Sequence, residues 1–319
     1  MAKLLVIGGS GFFGKSILSA FKRGLLQAWQ IDSVLVVARH ASLLKTQHPE
    51  LITLGVELVD LDIGTANILP DADYIIHAAA STNAANYLSQ SQVERDNIQA
   101  ATYNFCRLIQ DKKNHIPKIV YTSSGAVYGQ QDRDIQSLSE LDSLIPVDSM
   151  VLHKRDYALA KRDAENAIIE LGHRGFTVSI ARCFAFVGQY LPRDQHFAIG
   201  NFIGDGLSGK AIKVSATNPV YRSYMYADDL VNWLMTIAQA SKQECPIYNV
   251  GSGEAVEIRE LAQKVGNYFS SNIHAVEPTS TNADRYIPSV EKAFKELGLT
   301  ISYDLSTSIY ETVKQIQSA

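Results

Sequence analysis

Cysteine is scarce in this sequence. Cys106, Cys183 and Cys245 are its three cysteines and stand far apart in 319 residues. An odd, scattered set implies no disulfide framework, and the simplest home for it is a reducing cytoplasm. Long apolar runs are also missing. The N-terminal "LLVIGG" is far too short for a signal segment or a membrane span, and no other run reaches spanning length. Neither sign of charge dominates, because 29 Lys and Arg against 33 Asp and Glu leave a formal net charge of -4. That balance argues against nucleic acid or an anionic membrane as the main partner. There is no internal repeat and no low-complexity tract. His77 has no His, Cys or acidic neighbour at ligand spacing, so no metal is expected; taken alone it reads as a buried, satisfied histidine.

What is present is a rhythm. "KLLVIG" (3–8), "SVLVVA" (33–38), "VELVD" (56–60), "ADYIIHAA" (72–79), "KIVYTSS" (118–124) and "FTVSIAR" (176–182) read as strands. Their apolar residues run nearly without interruption, as in strands covered by helices on both faces. Helical patterns at 12–24, 93–113 and 155–172 separate them. This alternation predicts an α/β fold with a doubly wound parallel sheet. From 183 the rhythm breaks, and 185–228, rich in Gly, Pro, Asn and aromatics, reads as loop-dominated. A helix over 228–241, a strand over 247–250 and helices over 257–269 and 289–297 follow, with 270–286 a polar loop. The expected division is a dinucleotide-binding domain over 1–182 and a smaller α/β substrate lobe over 183–319, some of whose segments return to the first domain.

"VIGGSGFFGK" sets Gly8, Gly11 and Gly14 directly after the first strand and at the start of the first helix. Glycine suits a turn of positive φ and lets backbone approach a pyrophosphate without a Cβ in the way. The helix N-terminus then offers free N–H groups and the positive end of its dipole. The GxxGxxG spacing differs from the GxGxxG of many dehydrogenases. Here the sequence resembles the extended short-chain dehydrogenase/reductase family of nucleotide-sugar epimerases, dehydratases and ketoreductases, over almost the whole chain. The resemblance implies dinucleotide contacts from Gly8, Gly11, Phe12, Phe13 and Gly14. It adds Asp62 and Ile63 after the third strand as the adenine-contacting pair, and Ala78 and Ala79 within the fourth-strand "HAAA".

"YALAK" puts Tyr157 and Lys161 on one helix face, and "VYTSSGAVYG" ends a strand on Thr122, Ser123 and Ser124. By resemblance, Ser124, Tyr157 and Lys161 form a catalytic triad, with Tyr157 and Lys161 also touching the cofactor. The chemistry is coherent. Hydride transfer at a sugar carbon needs a proton moved at the attached oxygen, and an ordinary tyrosine, with a pKa of about 10, is a poor base. A nearby lysine ammonium and the positive nicotinamide favour the phenolate. A serine hydroxyl fixes the same oxygen. In the family's 4,6-dehydratases an Asp-Glu pair follows that serine. Gly125 and Ala126 stand there in this chain, and neither carries a proton, which disfavours a dehydratase.

In the lobe, "RCFAFVGQYLP" (182–192) resembles the family's segment leading into the sugar site, but Ala185 and Gln189 replace its usual Asn and Pro. Asn201 and Arg222 match positions that contact and clamp the diphosphate in relatives, and Arg285 is a further candidate; an arginine fork bonds phosphate oxygens in pairs. The second strand ends on Ala38 followed by Arg39 and His40. NAD-using members carry a carboxylate at that end to hold the adenosine ribose, so Arg39 beside the gap favours NADP, with NAD the alternative. By the same resemblance, relatives commonly dimerise through two helices, here 93–113 and 155–172; Ala158, Ala164, Ala167, Ile168 and Leu171 are compatible with such a surface and equally with packing on the chain's own sheet. The expected protein is a homodimeric enzyme acting on a nucleoside-diphosphate sugar by hydride transfer at C4, favoured as a 4-keto-6-deoxysugar reductase. A C4 epimerase with tightly held NAD is the alternative. A dinucleotide-sensing protein on the same fold would normally lack the Tyr-Lys pair.

Overall fold

In the computed structural model, residues 1–80, 90–112, 115–132, 135–150 and 152–318 are described. Six strands follow the expected rhythm: β1 (Ala2–Ile7), β2 (Ile31–Ala38), β3 (Val56–Asp60), β4 (Tyr74–His77), β5 (Lys118–Ser124) and β6 (Val178–Cys183). With the strand Ile247–Val250 they make a seven-stranded sheet in the order β3-β2-β1-β4-β5-β6 and then Ile247–Val250. Every pairing in it is parallel.

The apolar runs are continuous because both faces are covered. Leu4 and Val6 of β1 pack into one core, together with Ile17 and Leu18 of the Phe12–Lys22 helix and Leu230, Trp233 and Leu234 of the Ala227–Gln239 helix. Leu5 and Ile7 point the other way, into a second core. The Ser91–Gln110 helix enters that core with Ile98, Phe105 and Ile109, and the Leu152–His173 helix enters it with Ala164 and Ile168. Alternate residues of one strand thus serve two layers.

The order reverses between β1 and β4, and such a reversal opens a crevice at the carboxyl ends of the strands. Gly8 follows β1, His77 ends β4 and Ser124 ends β5, so the sequence motifs gather at this crevice.

The lobe is more regular than its composition predicts. Within 185–228 lie the helix Ala198–Leu207 and short strands at Phe186–Val187, Ile212–Val214, Val220–Arg222 and Met225–Tyr226. The supposed loop 270–286 holds the strands Ile273–Ala275 and Asp284–Tyr286, and a helix, Leu305–Gln317, closes the chain. These strands are two or three residues long, too short for any periodicity to register. The Ala198–Leu207 helix is masked by glycines with low helix propensity. They are there for close packing: a Cβ on Gly200 would sit 2.3 Å from the Pro192 carbonyl oxygen, and one on Gly206 would sit 2.1 Å from the Phe269 ring.

Ala164, Ile168 and Leu171 are buried in the chain's own second core, Ala167 packs against that core, and Ala158 is buried as well. Among the described residues no helix is long and apolar enough to cross a membrane, and no group of three or more His, Cys, Asp or Glu could hold a metal ion.

Candidate active site

The glycine loop is a cradle that a side chain would fill. Gly8 has φ +83°, and a Cβ there would lie 2.6 Å from the Ala79 amide nitrogen and 2.7 Å from the Ala78 carbonyl. A Cβ on Gly14 would lie 2.1 Å from the Gly9 carbonyl oxygen. The Gly8 amide donates to the Val37 carbonyl at 2.7 Å and the Gly11 amide to the Gly8 carbonyl at 3.2 Å, which draws the loop against the ends of β1 and β2. The Phe12–Lys22 helix then opens with no side chain capping its N-terminus. First-turn N–H groups are left for an anion, so the residues present fit a dinucleotide pyrophosphate. The rings of Phe12 and Phe13 pack on Phe186 of the lobe, with centroids 6.3 and 5.3 Å away.

Where the sequence led adenosine contacts to be expected, the Asp62 carboxylate accepts from the Gly64 amide at 2.9 Å, and the buried Ile63 carbonyl accepts from Asn104 Nδ2 at 2.7 Å. Arg39 and His40 are exposed just beyond β2. The register of β2 on β3 places Asp60 beside Ala38. Its carboxylate accepts from the Ser42 amide at 2.7 Å and the Ser42 hydroxyl at 2.6 Å. Those bonds hold the carboxyl below its usual range. A carboxylate therefore does stand at this end of the sheet, one strand over from where the sequence was searched for it.

The hydroxyl trio divides its work. Thr122 donates to the His77 carbonyl at 3.1 Å, and Ser123 donates to Glu165 Oε1 at 2.6 Å. Ser124, at the mouth of the crevice, accepts from the Ala126 amide at 3.2 Å and lies 3.4 Å from the Tyr286 hydroxyl. The buried Lys161 donates through Nζ to the Thr122 carbonyl at 2.9 Å and to the Tyr121 hydroxyl at 3.4 Å. Its ammonium stands 4.9 Å over the Tyr121 ring. Tyr157 is half-buried one turn earlier on the same helix; burial first, with Tyr157 adding to it, raises the pKa of the Tyr286 hydroxyl. His77 is buried as expected but not satisfied, since neither ring nitrogen meets a hydrogen-bond partner. Its ring lies 4.8 Å from Phe105 and 5.3 Å from Tyr121. Burial first, and then the Lys161 charge, lowers its pKa to about 3.

On the lobe side, Arg222 Nη2 meets Asp284 Oδ2 at 2.8 Å, while Nη1 donates to the carbonyls of Tyr221 and Asp284 at 2.8 and 3.1 Å. Its guanidinium also lies 6.0 Å over the Tyr286 ring, so Arg222 reaches the Ser124 end through that tyrosine. The contacts of the other candidates run elsewhere. Arg285 stacks on Tyr221 at 4.2 Å, and Asn201 Nδ2 donates to the Gln195 carbonyl at 2.6 Å. Asn201 Oδ1 is buried without a partner. Gln189, which stands where relatives carry proline, donates to the Gln315 carbonyl at 3.2 Å and ties down the final helix. Asp60, Asp284 and Tyr286 were missed in the sequence. Only the pairing of short or distant strands brings them to the site.

Over 98% of its length the chain is 26% identical to a dTDP-4-dehydro-6-deoxyglucose reductase from Escherichia coli, covering 97% of that protein. It is 23% identical to a putative UDP-glucose 4-epimerase from Methanocaldococcus jannaschii, with 99% of this chain and 98% of the other covered. The crystal structure of a Thermotoga maritima UDP-glucose 4-epimerase with UDP-glucose shares the fold at TM-score 0.82 and 17% identity, with 99% of both chains covered. A Streptomyces venezuelae dTDP-glucose 4,6-dehydratase with NAD bound does so at TM-score 0.81 and 22% identity, over 99% of this chain and 97% of that one. The sequence model of the NAD dependent epimerase/dehydratase family matches residues 4–251, and the chain belongs to that family.

Proposed function

We propose that the protein reduces the C4 ketone of a 4-keto-6-deoxysugar nucleotide, drawing on NADPH. The observation that carries this reading is the junction after β5. Ser124 is followed by Gly125 and Ala126, so the position next to a hydride-transfer triad holds no acid or base for elimination. The likeness to a dTDP-4-dehydro-6-deoxyglucose reductase supports it.

The assigned roles follow from the residues. The loop of Gly8, Gly11 and Gly14, with Asp62, Ile63, Ala78 and Ala79, would hold the dinucleotide, which when bound supplies the hydride. Ser124 would bind the C4 oxygen and fix its position. Tyr157 would give that oxygen its proton as the ketone becomes a secondary alcohol, and solvent would restore the phenol. Lys161, one turn further along the same helix, would bring its positive charge to this end of the site. Arg222, with Asn201 and Arg285, would face the diphosphate, where an arginine fork is worth most. Arg39 is the reason for preferring NADPH.

One observation favours the C4 epimerase with tightly held NAD. The Asp60 carboxylate beside Ala38 would repel a ribose 2′-phosphate if Ser42 released it. Denaturing the purified protein and identifying any released dinucleotide separates the two. An empty site that then oxidises NADPH in the presence of dTDP-4-dehydro-6-deoxyglucose supports reduction. Stoichiometric NAD, with interconversion of UDP-glucose and UDP-galactose, supports epimerisation.

A further inference from the structure

The geometry points to Tyr286 as a further substrate-contacting residue, its phenol donating to the sugar oxygen that Ser124 holds, in the space where a carboxylate at position 125 would otherwise project. This inference rests on the nucleotide-sugar reading above. It begins at Gly125. A Cβ there would lie 2.7 Å from the Tyr286 hydroxyl and 2.6 Å from Phe184 Cζ, both inside van der Waals contact. The glycine is therefore required by what stands opposite it. A residue bearing an acid cannot occupy position 125 while Tyr286 points inward.

The Tyr286 hydroxyl is poorly engaged by the protein itself. Among the described residues its hydrogen-bond contacts are Ser124 Oγ at 3.4 Å and the Cys183 carbonyl at 3.5 Å, whereas a good O–H···O bond is about 2.7–2.8 Å long. A donor left with two long contacts gains by turning to a ligand oxygen that sits to one side, within hydrogen-bond reach of both it and Ser124.

Its ring is held for that task. Phe184 lies against it with centroids 4.6 Å apart, and Arg222 covers it at 6.0 Å. The Asp284–Tyr286 strand pairs in parallel with Val220–Arg222, which sets Tyr286 directly beside Arg222. One strand pairing thus joins the diphosphate side of the lobe to the reacting end.

Burial raises the Tyr286 pKa above the ordinary tyrosine value, with Tyr157 adding to the shift. The phenol stays protonated at any working pH, so it donates and does not accept a proton from carbon. That is the opposite of what a carboxylate would do in its place. Tyr286 and Gly125 together therefore commit the site to holding a sugar oxygen rather than to eliminating one.

The test is Tyr286→Phe, which keeps the ring and its packing. Calorimetry compares wild type and variant with dTDP-glucose against dTDP, and with UDP-glucose against UDP. The expected result is a five- to tenfold loss of affinity for the sugar nucleotide that the wild type binds, with affinity for its parent diphosphate unchanged. A merely structural role would weaken both members of a pair alike; that outcome, or no loss for either, overturns the assignment of Tyr286 alone. A wild type that binds neither sugar nucleotide overturns the functional reading and this inference together.

Discussion

Two arginine–carboxylate pairs in this molecule have the same closest approach and opposite meanings. Arg182 and Glu165 meet at 2.8 Å with side chains 7% and 5% exposed, and Arg222 and Asp284 meet at 2.8 Å with side chains 24% and 35% exposed. The first pair is bidentate and receives a third bond from Ser123 on the same carboxylate. It locks the Leu152–His173 helix to β5 and β6 beneath the triad. The second stands at the open side of the lobe, where water and ligand can compete for either partner. A buried pair has nowhere else to go, so it is structure. A half-exposed one is worth little to the fold and is free to be exchanged for a phosphate.

The largest effect should come from breaking the buried pair. Glu165→Gln leaves Arg182 charged and only partly compensated, and about 3–5 kcal/mol of stability should be lost in urea unfolding. A loss under about 1 kcal/mol would erase the contrast. Next is Tyr157→Phe, which should lower turnover by about a hundredfold or more while the melting temperature stays near that of wild type. Near-normal turnover would remove Tyr157 from the triad. Ala38→Asp combined with Arg39→Asn should move dinucleotide preference toward NAD(H) by roughly ten- to a hundredfold, as fits one charge-assisted contact. Fluorescence titration with NADPH and NADH reads this directly, and unchanged preference would hand discrimination to Asp60.

His77 sharpens the comparison through pH. Its pKa in the fold is about 3 against an ordinary 6.5, so the unfolded chain takes up the proton first. Its contribution to stability is complete above pH 6.5 and falls away as the pH drops from there toward 3. Between pH 6.5 and 5 the loss should approach about 2 kcal/mol. His77→Phe should flatten that slope, and an unchanged slope would place the titrating group elsewhere. The smallest effect on stability is expected at the open pair. Arg222→Gln should cost at most about 1 kcal/mol of stability yet weaken dTDP-glucose binding, whereas a large stability loss would make the two pairs alike.

How far the sequence reaches follows the same division. The sheet was legible because buried strands repeat apolar residues and the Gly8 turn admits no Cβ; local chemistry leaves a local trace. The residues proposed for catalysis were legible for a related reason: Tyr157 and Lys161 are one helical turn apart. The lobe was not. Tyr286 reaches Ser124 across 162 residues, and Arg222 meets Asp284 across 62, through strands of three residues. Asp60 escaped because its neighbour Ala38 lies on the adjacent strand. Side chains that find their partners through pairing leave no pattern within their own stretch of chain.

The central claim is reduction at C4 by a triad with no elimination acid beside it. It is tested most directly by giving the purified protein dTDP-4-dehydro-6-deoxyglucose together with NADPH carrying deuterium at both nicotinamide C4 positions, and reading the product by mass spectrometry and NMR. The account predicts a dTDP-6-deoxyhexose carrying a single deuterium, at sugar C4, with one NADPH oxidised per sugar. Unchanged ketosugar and unoxidised NADPH, or a product without deuterium at C4, would contradict it.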